Sequence, residues 1–474
     1  MPDIIWFRSD LRLKDNPALA VATKGGRPVV AVFLVSRDQW REHHWGPNRI
    51  NFVLRNVVSV QADLAKLGIP LFVRQADRFS DAAGELSKIA RVQKADQLHY
   101  NIEYEVNELA RDEQVSEELG KLGVEVVAHE DQTILPPHLV RTKGDTFFKV
   151  FTPYSSAWRA MVAERLPLKL SPKPRKRGEP AKVADKDNPL KWLVTGEADG
   201  IVDRWPAGEA VAAQRLAKFA GQAIHTYQQQ RDLPAVDGTS SLSAYLACGV
   251  ISARQCLTAA LDANDGMLGS GSKDINTWIN ELIWREFYRH VLVGWPKVCR
   301  DQPFKHDTRN IPWHDDREQF QRWCDGQTGF PIVDAAMRQL LQTGWMHNRL
   351  RMIVAMFLTK DLLIDWRWGE RFFMNQLIDG DFASNNGGWQ WASSTGTDAV
   401  PYFRIFNPVS QSTKFDKQGE FIRRYVPELS ELDNKSIHDP SPLQRSAADY
   451  PEPIVDHREA RQRTLDAFGK SRSG

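Results

Sequence analysis

The sequence predicts an α/β plus all-α chain: an N-terminal doubly wound parallel-sheet (Rossmann-like) domain, a long connector and a C-terminal all-helical domain. Three observations predict it. Strand and helix signals alternate over residues 1–131, prolines crowd residues 132–200, and helical periodicity dominates residues 201–474. Alternation of the first kind gives a parallel sheet with helices on both faces.

Taken in order, Ile4 to Phe7 is a short apolar run, and Val29 to Val35 is a second, β-branched one. A helical pattern runs from about Asn48 to Leu67 and stops at Gly68. Ile69 to Val73 then reads as a strand, 80–94 as a helix, Gln97 to Tyr100 as a strand, 106–121 as a helix and Val124 to Val127 as a strand. No G-x-G-x-x-G follows the first strand, so any cofactor in this half binds some other way than a dinucleotide on a glycine fingerprint. Pro136, Pro137, Pro167, Pro172, Pro174 and Pro180 break regular structure in the connector, where Lys169 to Arg177 forms a basic cluster. That cluster is either a solvated loop or an edge that contacts phosphate. Beyond it the pattern predicts helices at 208–222, 252–263, 274–293, 331–343, 346–360 and 366–377.

Composition narrows the function classes. The chain has 474 residues, 42% hydrophobic and 26% charged, which allows more than one core and argues against wholesale disorder. A net charge of +2 does not mark a nucleic-acid binder in bulk, so such a role needs a local basic patch. Cys248, Cys256, Cys299 and Cys324 form no C-x-x-C pair, so neither a zinc site nor a disulfide framework is expected. Arg8 and Asp10 interrupt the first apolar run, against a signal peptide, and no stretch is long enough to span a membrane. A cytoplasmic protein is the expectation. The 16 Trp fit a large core, stacking platforms or a redox relay.

Four segments carry chemistry. On the 274–293 helix, Trp278, Glu281, Trp284, Arg285 and Tyr288 share one face. Either a salt bridge lies beneath an aromatic cluster, or the face stacks a flat polar ligand such as a flipped base. On the 346–360 helix, Trp345, Asn348 and Met352 share a face with Arg349 beside it, which suggests a second wall of the same pocket. In Asp379 to Trp391, two carboxylates, two Asn and the Gly387-Gly388 pair precede a Trp pair. Asp379 and Asp381 suit sugar hydroxyls or a pairing with Arg351; a metal is not expected, for want of further ligands. Thr239, Ser240 and Ser243 lie at a helix start, as an anion site or an ordinary cap.

Together these runs resemble the photolyase and cryptochrome family, specifically the bacterial class I photolyases for cyclobutane pyrimidine dimers (CPD). The resemblance rests on Trp6 to Arg12, Tyr104 to Glu108, Asn280 to Phe287, Thr343 to Met352 and Asn385 to Trp391. It implies an antenna pigment on the α/β domain and FAD on the helical domain. It places Thr239, Ser240 and Ser243 at the FAD phosphates with Tyr227 nearby, and gives Trp278 and Arg351 to the cofactor. Asp379 and Asp381 would lie near flavin and ribose, and Asn385 next to flavin N5. Trp313, Trp366 and Trp389 match the electron relay that photoreduces the flavin. Glu281 and Asn348 would hydrogen-bond the dimer, and Trp284, Met352 and Trp391 would line it. Arg231, Arg285, Arg349 and Arg404 are candidates for DNA phosphate. Asn107 and Glu108 match the pattern for a methenyltetrahydrofolate antenna, although Cys299-Arg300 stands where folate users often have Cys-Lys.

The resemblance also separates activities. Photolyases for (6-4) lesions carry two His where this chain has Asn348 and Met352, and neither can act as a general acid. Asn385-Asn386-Gly387-Gly388-Trp389 differs from the Asn-Tyr-Gly-Asn-Trp of the DASH branch. Signalling cryptochromes often carry a long tail, whereas only a short stretch follows Leu465 here. The expectation is a monomeric light-driven lyase whose partner is DNA containing CPD lesions.

Overall fold

A computed structural model describes residues 1–174, 192 and 199–473. The basic cluster expected at Lys169 to Arg177 lies outside the described residues beyond Pro174, as does Pro180. The chain forms two compact units, Met1–His225 with Ser240–Pro296, and Thr226–Thr239 with Lys297–Gly474.

In the first unit, β1 (Asp3–Phe7), β2 (Val29–Val35), β3 (Leu71–Gln75), β4 (Gln97–Asn101) and β5 (Glu125–His129) form one sheet in the order β3-β2-β1-β4-β5. All pairings are parallel. Every residue of β1 and β2 is buried, which is why both read as continuous apolar runs. Helices Pro17–Ala22, Pro47–Lys66, Ala82–Gln93 and Val106–Gly120 occupy the four crossovers. Ile69 and Val124, expected to begin strands, instead close the preceding helices by donating to Leu64 O (3.0 Å) and Leu119 O (3.1 Å). The strands begin after them.

The strand order reverses between β1 and β4, where doubly wound sheets usually take their ligands. Here the chain fills that place with its own buried polar groups. Asn101 Nδ2 donates to Asp10 Oδ2 (2.5 Å) and Asn16 Oδ1 (2.9 Å), while Asn16 caps the Pro17–Ala22 helix. Arg12 and Arg254 converge on Asp131 (2.5 and 2.6 Å), and Arg254 also pairs with Asp15 (3.0 Å). Gly249, at φ +62, lets the backbone approach: a Cβ there would stand 2.1 Å from Ser9 O. The missing glycine fingerprint therefore has a structural counterpart.

The same bonds explain why this unit extends past residues 131 and 200. Arg254 fastens the Ala253–Asp262 helix to Asp15, ahead of the Pro17–Ala22 helix, and to Asp131, just past β5. Glu286, on the Lys273–Gly294 helix, is buried and accepts from Ile134 N, Leu135 N (3.4 Å) and Trp158 Nε1 (2.6 Å). Trp158 belongs to a helix, Phe151–Ala163, inside what the sequence suggested was an irregular connector. Its Pro153 sits in the first turn, where proline is tolerated.

The second unit is helical. The expected helices at 331–343 and 366–377 appear as Pro331–Thr343 and Trp366–Gln376. The one expected over 346–360 is shorter: it runs Asn348–Met356 and passes into a five-residue π-helix, Phe357–Asp361. Arg317–Cys324, Phe382–Ala392, Pro408–Phe415 and His457–Ser473 are further helices the periodicity did not give. Trp323, Met337, Trp366, Phe373 and Trp389 share its main core.

Candidate functional site

The second unit gathers three short helices, each started by a polar side chain. His347 Nδ1 accepts from Arg349 N (3.2 Å), Asp365 from Arg367 N (3.0 Å), and Asp381 from Ser384 N (2.9 Å). The helix start at Asn348 corrects one expectation. Trp345 precedes the helix, so it does not share a helical face with Asn348 and Met352. His347 takes the cap and is buried with Met346, Asn348 is exposed, and Met352 is half-buried.

Arg351 is fixed at both ends of its guanidinium. Nε donates to Met346 O (2.8 Å), and Nη2 reaches both oxygens of Asp379 (3.0 and 2.8 Å). Asp379 is 2% exposed at its side chain and Arg351 26%, so the carboxylate is sealed while part of the cation faces outward. This is the pairing named as one alternative from the sequence. Asn385 donates Nδ2 to Glu370 O (3.0 Å), which points its amide oxygen away from that carbonyl. Asn386 donates to Glu370 Oε1 (3.1 Å) and accepts from Gln390 Nε2 (2.9 Å). Burial pushes the Glu370 carboxyl up to about 7.

Trp389 stands edge-on to Phe373 (5.0 Å) and Trp323 (6.1 Å). Trp366 is 1% exposed in the same core, and Trp313 packs half-buried against it, edge-on to Phe468 at 6.0 Å. Trp391 also packs on this core. Arg349 pairs with Asp232 (2.9 Å), which lies 3.8 Å from Arg231; Arg231 lies over the Tyr227 ring at 5.7 Å. Arg404 is exposed, Thr239 half-buried.

In the first unit, the Lys273–Gly294 helix carries Trp278, Glu281, Trp284, Arg285 and Tyr288. Trp278 is buried against Phe219 (5.0 Å). Trp284 stacks flat on Phe151 (3.7 Å, 2°) with Tyr288 at 5.7 Å. Arg285 is drawn inward, donating to Gln132 O (2.6 Å) and Leu246 O (3.5 Å), and so is tied to backbone. Glu281 is half-buried. Ser240 precedes and Ser243 opens the five-residue helix Ser243–Ala247, whose cap position is Leu242, with no side-chain cap bond. Ser243 is exposed and Ser240 half-buried.

A second cluster in this unit joins Asn107 and Glu108 to His43. Asn107 Nδ2 lies 3.0 Å from His43 Nε2, and Glu108 Oε1 3.5 Å from His43 Nδ1. Burial and Arg49 push His43 down to about 4. Burial, with Glu105 and Glu103 nearby, pushes Glu108 well above the usual carboxylate range.

Sequence reasoning missed His43, Asp232, His347, Glu370 and Asn386 as parts of these clusters. For Glu370 a signal existed: Trp366, Gly369, Glu370 and Phe373 fall at one helical face, and all four are buried. Asp232 lies 117 residues from Arg349, and no local pattern joins them.

Comparisons with known proteins agree along the chain. A family model described as "DNA photolyase" matches residues 3–174, and one described as "FAD binding domain of DNA photolyase" matches residues 278–470. The chain is 45% identical to a deoxyribodipyrimidine photo-lyase of Vibrio cholerae, covering 98% of each chain. It is also 45% identical to the deoxyribodipyrimidine photo-lyase of Escherichia coli, covering 99% of each. Among solved structures, a bacterial class III photolyase from Agrobacterium tumefaciens superposes with a TM-score of 0.90 at 36% identity, over 100% of this chain and 98% of that one. A cryptochrome from Synechocystis superposes at 0.86 with 28% identity, over 98% and 99%. With full-length identity at this level and both family models matched in order, the chain belongs to the DNA photolyase family and carries its FAD-binding domain.

Proposed function

We propose that this chain is a deoxyribodipyrimidine photolyase: with FAD bound and reduced, it uses light to split cyclobutane pyrimidine dimers in DNA. The observation that carries the reading is the 45% identity to the Escherichia coli deoxyribodipyrimidine photo-lyase over 99% of both chains.

The residues present fit a flavin nucleotide. Arg351 is held by Asp379 yet partly outward-facing, and Asn385 is oriented by Glu370 O. His347 accepts at Nδ1, so its proton sits on Nε2, a buried donor with no protein partner. A Cβ at Gly388 would meet nothing within 4 Å, which leaves room on that helix. When bound, FAD supplies a light-excitable one-electron carrier. Arg351, Asp379, Asp381 and Asn385 in the second unit, with Tyr227 and Thr239, are assigned to hold it. In the first unit Ser240, Ser243 and Trp278 are assigned the same task. Trp389, Trp366 and Trp313 are assigned to relay electrons inward.

Glu281 and Asn348 are assigned hydrogen bonds to the dimer, and Trp284, Met352 and Trp391 apolar contact. Flipping a dimer out of the duplex costs about a few kcal/mol, less for a distorted lesion. Arg231, Arg349 and Arg404 are assigned to phosphates. Arg285 is a weaker candidate than the sequence suggested, because two backbone carbonyls occupy it. Asn107 and Glu108 are assigned to a methenyltetrahydrofolate antenna, since an amide beside a buried carboxyl offers donor and acceptor to a flat heterocycle. The protein works as a monomer in the cytoplasm. No helix among the described residues is long and apolar enough to cross a membrane.

The test is illumination of the purified, flavin-reduced chain with oligonucleotides carrying one thymine cyclobutane dimer or one (6-4) lesion. Loss of the cyclobutane dimer alone is expected. Met352→His is expected to leave (6-4) repair absent, because Asn348 still supplies no acid. Repair of the (6-4) lesion by that single variant contradicts the assignment of lesion choice.

A further inference from the structure

Among the described residues, a cation stands over one ring of the proposed relay and over neither of the other two. The Arg367 guanidinium carbon lies 4.9 Å from the centroid of Trp366. It is fastened there: Nη1 reaches both oxygens of Asp365 (3.1 and 2.8 Å), and Nε donates to Asp301 O (2.7 Å). Among the described residues, no cation stands so over Trp389 or Trp313. Trp366 is 1% exposed, and the side chains of Arg367 and Asp365 are 22% and 23% exposed, so water screens the interaction only in part, while Trp313 is half-buried and in contact with solvent.

We propose that the Arg367–Asp365 pair tunes the relay, making Trp366 an unfavourable resting place for the electron hole and so driving the hole outward to Trp313. Arg367 is a positioning residue, acting through Trp366. The inference rests on the relay assigned above. In that relay one electron passes to the bound flavin and leaves Trp389 one electron short. An electron from Trp366 refills Trp389, and one from Trp313 refills Trp366, so Trp313 ends oxidised by one electron.

A fixed cation over an indole favours its neutral, electron-rich form and disfavours its radical cation. The middle ring is therefore the one made hardest to oxidise. A hole arriving there returns to Trp389 or moves on to Trp313. Only at Trp313 does solvent stabilise the positive charge. Asp365 offsets part of the guanidinium's effect, which keeps the first transfer, from Trp366 to Trp389, accessible. The two side chains thus act with opposite sign on one ring.

That opposition supplies the test. The chain with FAD bound and oxidised is excited by a short flash, and the indole radical signals are followed by transient absorption. Arg367→Met keeps bulk and removes charge. It is expected to lengthen the stay of the hole on Trp366 and to lower the yield of long-lived Trp313 radical, on the order of threefold. Arg367→Lys is expected to restore most of the yield. Asp365→Asn keeps the helix cap, since Asn also caps well, but leaves the cation uncompensated. It is expected to slow the refilling of Trp389 instead. A merely structural role does not move the two steps separately, nor is it rescued by charge. FAD content and circular dichroism are recorded for each variant to establish folding. Trp366→Phe is the reference. If it leaves the long-lived radical intact, the relay itself is wrong. If it abolishes the radical while Arg367→Met matches the parent in both kinetics and yield, the relay stands and the tuning proposal is overturned.

Discussion

Glu370 shows how much one buried proton can matter. Its carboxyl accepts from Asn386 and is pushed up to about 7, chiefly by burial. The folded chain thus holds this proton more tightly than the unfolded chain does. The stabilisation is complete below the ordinary carboxylate range and is lost as pH rises through about 7. Its full loss amounts to about 3 kcal/mol. Glu370→Gln is neutral at every pH and retains an acceptor for Asn386. Urea unfolding at a series of pH values from roughly 4 to 9 is expected to show the parent weakening between the ordinary carboxylate range and about 7 and levelling beyond, relative to Glu370→Gln. Parallel curves for the two proteins refute the assignment of a neutral Glu370 below that range. Glu370 also reaches the proposed flavin site through its backbone, by accepting from Asn385. One residue therefore links folding and cofactor geometry.

At the scale of elements, the Trp366–Gln376 and Phe382–Ala392 helices meet closely where Gly369 faces Trp389. A Cβ on Gly369 would stand 2.1 Å from Trp389 Cη2, so only glycine lets the indole seat there. Gly369→Ala is expected to displace Trp389 and cost roughly 1–3 kcal/mol or more, read as a lower melting temperature together with a shorter-lived relay radical. Unchanged values for both contradict this packing. The Trp366–Gln376 helix was legible because its buried face repeats at helical spacing. Its partner was not. Asn385, Asn386, Gly387 and Gly388 are all weak helix formers, and tertiary packing overrides them. The Asp381 cap was the one local signal available there. Likewise the π-helix Phe357–Asp361 interrupts a pattern that reads as one continuous helix, because all five of its residues are buried and no one-sided apolar face marks the change of pitch.

For the whole molecule, the sequence pattern and the compact units answer different questions. Periodicity marks a change from α/β to helical near residue 200, whereas the first unit continues to Pro296. Buried polar bonds made by Arg254 and Glu286 carry that difference, and such long-range partners have no signature in a single chain. β1 and β2 were legible because they are buried along their whole length. The motif-bearing residues of the candidate site were legible too, as unusual runs, while their supports at His43, Asp232 and Glu370 were mostly not. The central claim concerns neither fold nor relay but the use of light on a specific lesion. It is tested most directly by following one thymine cyclobutane dimer in duplex DNA, mixed with the flavin-reduced chain, in matched illuminated and dark samples. The account requires dimer loss under near-UV or blue light and none in the dark. No loss in the light, with FAD bound and reduced, contradicts it.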